Sequence, residues 1–146
     1  EEKGMFENEV YPGIKELLRV LTKQGILCLV ATSKPEIYAK KILDYYKLRT
    51  YFHYIAGANM DGTRTDKAEV IAYALKQIPA EYNNKKILMV GDRSHDIIGA
   101  KKNGIDCAGV LFGYGSREEL EEAGADFVAD SVEAVRNIIL LDTAMN

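Results

Sequence analysis

Asp92 and Asp96 stand four residues apart at the end of the run Lys86-Ile87-Leu88-Met89-Val90-Gly91, and the chain continues Arg93-Ser94-His95 between them. An apolar strand that stops abruptly in acid delivers hard carboxylate oxygens to the crevice beyond the carboxyl ends of an α/β sheet, where a cation and a phosphate can be held. On spacing alone the pair is equally a solvated helix start. For Asp96, early on the following helix, stabilisation of the helix N-terminus by negative charge is the plain alternative to contacting a metal directly or through water. The buried strand before Asp92 and the helix after it favour the metal reading.

A second element is Leu29-Val30-Ala31-Thr32-Ser33-Lys34-Pro35. Here hydroxyl residues follow a buried strand and directly precede a helix. Thr32, with Ser33 and the free backbone N–H groups of that helix start, can hydrogen-bond phosphate oxygens. Ordinary capping is the competing explanation. The third element is Lys67, behind Thr63-Arg64-Thr65-Asp66 at another expected helix start. The helix dipole disfavours a lysine there, so it needs solvent or a negative partner such as a phosphate or the carboxylates of a metal site.

Other residues carry less. His95 reads as an exposed helix-start histidine, and His53, among Tyr51, Phe52 and Tyr54, as the edge of a core. Arg93 and Lys34 adjoin the candidate residues and add positive potential or are simply solvated. Gly113-Tyr114-Gly115 reads as a flexible loop near a strand end, either touching the site or forming a plain turn, with the plain turn preferred.

The elements that would position these residues alternate helix-period and strand-like segments from Tyr11 onward, the pattern of βαβ units around a parallel sheet. Ile14, Leu17, Leu18 and Leu21 form one helical stripe, closed by Gly25. Ile26 to Ala31 reads as a strand covered on both faces, and Pro35 fits the first turn of a helix to about Tyr46. A short strand at Tyr54 to Ala56 and a helix over Lys67 to Gln77, with Val70, Ile71, Ala74 and Leu75 inward, come next. Strands at Ile87 to Val90, Cys107 to Leu111 and Phe127 to Ala129 then alternate with helices from Ser94 to Asn103, from Ser116 to near Gly124, and from Ser131 through Leu140. Ser116 with Glu119 is a capping box.

Composition narrows the class. Apolar residues at 47% and only three prolines argue against long disorder, and a net charge of −3 without a Lys/Arg cluster argues against a nucleic-acid partner. No apolar stretch is long enough for a bilayer span and no secretory signal is visible, so no membrane association is expected and a reducing cytoplasm fits best. Cys28 and Cys107 sit in apolar runs, as small buried hydrophobes rather than redox groups. The chain starts Glu1-Glu2-Lys3-Gly4, which suggests a piece of something longer.

Taken in order, Thr32 after a strand, then Lys67, then Asp92 with Asp96 resembles motifs two, three and four of the haloacid dehalogenase-like (HAD) phosphohydrolases. Val30-Ala31-Thr32-Ser33-Lys34-Pro35 and Val90-Gly91-Asp92-Arg93-Ser94-His95-Asp96 are most similar to the phosphoglycolate phosphatase branch. The resemblance implies a Rossmann-like α/β core over residues 11–140, a residual cap or linker segment at 1–10 and a tail at 141–146. It implies that Thr32, with Ser33, binds the transferring phosphoryl group, that Lys67 steadies the phosphate and the nucleophile, and that Asp92 and Asp96 serve a Mg²⁺ ion. The substrate would be a small phosphorylated metabolite.

The family's nucleophile, the first aspartate of an Asp-x-Asp-Gly-Thr motif on the first core strand, has no counterpart before Tyr11. Asn59-Met60-Asp61-Gly62-Thr63 imitates that motif with asparagine at the nucleophile position and reads as a turn. The expectation is therefore an incomplete core, lacking the central strand between those ending at Thr32 and Asp92 and lacking the cap. Two sheet edges would be left unpaired, to be completed by a missing N-terminal segment or a partner chain. A noncatalytic phosphate-binding or regulatory module derived from the same fold is the alternative. A receiver-like signalling domain fits less well, because Thr32 and Lys67 precede Asp92.

Overall fold

Residues 13–59, 64 and 66–144 are described by the computed structural model, the last three of them by backbone only. They fall into two compact units, Glu1–Gln77 and Ile78–Asn146. The segment 1–10 and most of the Asn59-to-Thr63 turn lie outside the described residues.

In the first unit, α1 (Ile14–Lys23) buries the expected stripe of Ile14, Leu17, Leu18 and Leu21. Gly25, at φ 77°, supplies the left-handed turn after it, a conformation open to glycine at little steric cost. Strand β1 (Leu29–Pro35) runs into α2 (Glu36–Tyr45), and β2 (Tyr54–Ala58) leads to α3 (Lys67–Leu75). The two strands pair in parallel, Leu29 beside Tyr54, Val30 beside Ile55 and Ala31 beside Ala56; the register then slips, so that Pro35 lies beside Ala58. Helix α3 packs Val70 and Ala74 on Ala56, with Leu29, Ala31, Tyr54 and Tyr73 around them. The Tyr54 and Tyr73 hydroxyls meet at 3.0 Å. That bond, with burial second, pushes the Tyr54 phenol up to about 12.

In the second unit, β3 (Leu88–Gly91), β4 (Asp106–Val110) and β5 (Phe127–Ala129) form an all-parallel sheet in the order β3-β4-β5. They alternate with α4 (Ser94–Lys102), α5 (Arg117–Glu122) and α6 (Val132–Ala144). Ile97, Ala100, Cys107 and Leu120 make the core, and full burial of Ile97 and Leu120 stabilises by about 1.5–3 kcal/mol each. The Asp126 carboxylate joins α4 to the sheet, taking both Lys101 Nζ (2.8 Å) and the Cys107 N–H (2.9 Å).

The α/β class and the parallel pairing are as the alternating pattern implied; several boundaries are not. β1 begins at Leu29 and extends to Pro35, because the register slip lets the chain stay extended past Ala31. Pro35 accordingly stands just before the helix rather than in its first turn. Neither β1 nor β3 is fully buried on both faces: only Val30 of β1 is buried, and all four residues of β3 are half-exposed. The last helix continues to Ala144, past the Leu140 end that its periodicity suggested. Cys28 precedes β1, and burial pushes its thiol up to about 11. Among the described residues no helix is long and apolar enough to cross a membrane.

Each sheet ends in an edge strand at the functionally interesting position. Among the described residues β1 pairs only with β2, and β3 pairs only with β4, so one edge of each carries no strand.

Candidate functional site

Asp92 follows β3 directly and is held from two directions. From its own side, the Asp96 carboxylate folds back beneath the turn, and its Oδ2 accepts the Asp92 N–H (3.1 Å) and the Arg93 N–H (3.2 Å). Asp96 is 4% exposed, a buried carboxyl whose hydrogen bonds to the two N–H groups just before α4 make burial tolerable. Gly91 makes the space: a Cβ there would lie 2.6 Å from Asp96 Oδ2. Of the two readings of Asp96 from sequence, these contacts are those of helix-start stabilisation, and they fix the backbone of Asp92 as well.

From the other side comes the segment after β4. The Tyr114 N–H donates to Asp92 Oδ2 at 2.9 Å, and the Gly115 N–H donates to the Asp92 carbonyl oxygen at 2.8 Å. A Cβ on Gly113 would overlap the Asp92 side chain, and one on Gly115 would overlap its carbonyl oxygen. Gly113-Tyr114-Gly115 is therefore no plain turn. It is a clamp whose two glycines are required by close approach, a role that spacing in sequence could have suggested only through the pair of glycines.

The Ser116–Glu119 capping box is also only half formed. Ser116 Oγ accepts the Glu119 N–H at 3.1 Å, as a cap should. The Glu119 carboxylate does not fold back on its own helix; Oε2 takes the Ser94 N–H (2.7 Å) and Arg93 Nε (2.9 Å) at the start of α4. An ionised partner and a charged hydrogen-bond donor outcompete the local backbone N–H. Hydrogen bonding from Arg93, then from the Ser94 N–H, holds Glu119 below the usual carboxylate range, and the same contact raises Arg93 above its ordinary value. Glu119 is the site-proximal residue whose part was not visible in sequence.

The ligand-like character of Asp92 rests on what remains. One carboxylate oxygen is committed to Tyr114, while among the described residues no hydrogen bond reaches Oδ1. Among the described residues no group of three or more His, Cys, Asp or Glu side chains is placed to hold a metal. One or two carboxylates completed by water and phosphate is nonetheless the ordinary way Mg²⁺ is held at phosphate sites, and the Asp92–Asp96 pair fits that donor set. His95 lies at the exposed helix start, as expected, with Nε2 3.8 Å from Asp96 Oδ1.

Thr32, Ser33 and Lys67 belong to the first unit. Thr32 does not directly precede a helix, contrary to the sequence reading. It lies within β1, and its Oγ1 accepts the Lys34 N–H at 3.2 Å, closing a small turn where the register slips. Ser33 is exposed on the same turn. The α2 start has no side-chain cap; Pro35 occupies the capping position.

Lys67 opens α3, immediately after Asp66, whose carboxylate caps the helix through the Ala68 N–H (3.2 Å). Arg64, passed over in the sequence, anchors this entry. Its Nε donates to the Gly57 carbonyl oxygen (2.9 Å), its guanidinium stacks 3.7 Å from the Tyr73 ring centroid, and Glu36 Oε2 lies 3.6 Å away. Glu36 also accepts the Gly57 N–H at 3.3 Å. Arg64 thereby ties the start of α3 to the carboxyl end of β2, the same end of the sheet at which the Thr32 turn stands.

A family model for haloacid dehalogenase-like hydrolases matches residues 2–110 of the chain. The chain belongs to this family. Curated relatives include a 5'-nucleotidase of Pseudomonas aeruginosa, 39% identical over 93% of this chain and 61% of its own length. The tyrosine-protein kinase PtkA of Mycobacterium tuberculosis is 37% identical over 94% of this chain and 47% of its own. A phosphoglycolate phosphatase of Pseudomonas fluorescens is 32% identical over 92% and 48% respectively. The crystal structure of a predicted phosphatase from Clostridium acetobutylicum superposes with a TM-score of 0.84 at 44% identity, covering 94% of this chain and 62% of that one. The chain thus spans roughly half to three-fifths of the length of these relatives.

Proposed function

We propose that this chain is the part of a Mg²⁺-dependent HAD phosphatase core that carries the cation, lysine and hydroxyl groups of a phosphomonoester-hydrolysing site. The observation that carries the reading is the Asp92 clamp: a carboxylate fixed at a strand end by Asp96 below and Tyr114 and Gly115 above, with Oδ1 left for a ligand. Phosphoryl transfer asks a protein for positioning and charge neutralisation more than for covalent chemistry, and this is a positioning device. When bound, Mg²⁺ would neutralise charge on the phosphoryl oxygens.

In this reading Asp92 and Asp96 hold the cation, Asp96 chiefly by fixing the Asp92 backbone. The Thr32 hydroxyl donates to a phosphoryl oxygen while its lone pair remains on the Lys34 N–H, with Ser33 beside it. Lys67 supplies the fixed positive charge. The nucleophile, an aspartate forming an aspartyl-phosphate that water then hydrolyses, lies outside this chain. The open edges of β1 and β3 support that element of the proposal, because each has an unused row of backbone donors and acceptors for a further strand. The substrate class is a small phosphate monoester, and the names of the 5'-nucleotidase and phosphoglycolate phosphatase relatives are in keeping with it.

The test is complementation. The chain alone, shown folded by circular dichroism, is expected to leave p-nitrophenyl phosphate intact in the presence of Mg²⁺. Joined to the amino-terminal segment of the Clostridium acetobutylicum relative, it is expected to turn over, and Asp92→Asn in that chimera to cut the rate about a hundredfold or more. A folded, active chimera indifferent to Asp92→Asn would overturn the assignment. Phosphate binding without turnover would favour the noncatalytic module.

A further inference from the structure

The position of Glu119 has a use beyond capping. Arg93 directly follows Asp92 in the chain, and a guanidinium one residue from a carboxylate is its natural competitor for any cation. In the structure the Arg93 side chain is instead engaged elsewhere: its Nε points to Glu119 Oε2 at 2.9 Å. The same oxygen takes the Ser94 N–H at 2.7 Å, so the acceptor is locked to the backbone of the turn it serves. Glu119 is itself held by Ser116 at the first turn of α5, directly after the Gly113-Tyr114-Gly115 clamp. One short stretch therefore grips the Asp92 backbone and carboxylate with its N–H groups and restrains the neighbouring arginine with its acid.

We propose that Glu119 is a positioning residue of the cation site, holding the Arg93 guanidinium away from the Asp92 carboxylate so that Oδ1 stays open to Mg²⁺. The inference rests on the reading of Asp92 as the cation ligand and adds a residue to it. Its consequence is specific. Glu119→Gln keeps a side-chain oxygen to accept the Ser94 N–H, so the turn retains its cap, but it removes the charge that draws Arg93 aside. Arg93 then pairs with Asp92. Exchanging one exposed ion pair for another changes affinities by small factors, which sets the expected effect at about three- to fivefold in Mg²⁺ affinity.

The experiment is a ¹⁵N NMR titration of the full chain with Mg²⁺, following the amides of Asp92, Tyr114 and Gly115. Before metal is added, Glu119→Gln is expected to shift the Tyr114 amide proton, whose acceptor is Asp92 Oδ2, while leaving amides of the β4 core in place. With metal, the variant is expected to saturate at a three- to fivefold higher Mg²⁺ concentration. Adding Arg93→Ala to Glu119→Gln should bring the midpoint back to within about twofold of wild type, because the competitor is gone; a merely structural role for Glu119 gives no such recovery. A metal-free Tyr114 amide unchanged in Glu119→Gln, or weakened Mg²⁺ binding that Arg93→Ala does not restore, would overturn the inference while leaving Asp92 as the ligand. Wild-type amides at Asp92 and Tyr114 that ignore Mg²⁺ altogether would overturn both.

Discussion

Replacing Asp96 separates the two things its carboxylate does. In the wild type, Oδ2 accepts two backbone N–H groups, from Asp92 at 3.1 Å and Arg93 at 3.2 Å, and the residue is 4% exposed. Hydrogen bonds to a charged group contribute about 1.5–3 kcal/mol each in favourable settings, and negative charge on a helix N-terminus about 0.3–1 kcal/mol. Asp96→Ala removes both bonds and the charge, but it opens room in which water can reach the two N–H groups, so the net loss is expected at about 2–4 kcal/mol. Asp96→Asn keeps an oxygen in place to accept both N–H groups and loses only their charge assistance, about 1 kcal/mol.

Urea unfolding followed by circular dichroism reads the difference. At a slope near 2 kcal/mol/M, the alanine variant should unfold about 1–2 M earlier than wild type and the asparagine variant about 0.5 M earlier. Equal losses for the two variants would refute the reasoning, since the acceptor geometry would then contribute nothing. An alanine variant as stable as wild type would refute it more thoroughly.

Gly57→Ala should destabilise the first unit by about 1–3 kcal/mol, because the new Cβ would stand 2.5 Å from the Lys34 carbonyl oxygen and 2.8 Å from the Glu36 backbone, which cannot rotate aside; thermal unfolding by circular dichroism measures it. The second unit should weaken in acid. Hydrogen bonding from Lys101, with the Cys107 N–H in support, lowers the Asp126 pKa on folding, so its contribution is present above the unfolded value near 4 and lost as pH falls through the lower folded one. Asp126→Asn should flatten the stability curve below about pH 4, which urea midpoints measured on either side of that pH would show.

The elements were legible where one physical signal dominated. The Ile14-Leu17-Leu18-Leu21 stripe and Gly25 marked α1 closely, because burial and a left-handed cap are both written locally. The strand–acid junction at Asp92 was equally plain. What could not be read were contacts made by residues distant in the chain. The two glycines of Gly113-Tyr114-Gly115 hinted at a loop near the site but not that it closes on Asp92, 21 or more residues earlier, and Glu119 carried a familiar local motif that its long-range partner, Arg93, overrides. Thr32 failed differently: a strand covered on one edge only can slip register, and the slip kept Thr32 inside the strand and Pro35 outside the helix, which starts at Glu36. Arg64 had no periodicity or neighbour to mark it, since its partners Gly57, Glu36 and Tyr73 come from three separate elements.

The claim on which the functional account depends is that Asp92 is a cation ligand held ready by its clamp. Calorimetric titration of Mg²⁺ into the full chain and into Asp92→Asn tests it most directly. The account predicts saturable binding by the wild type that falls at least tenfold in the variant, with the variant's unfolding midpoint nearly unchanged. Identical isotherms for the two proteins would contradict it.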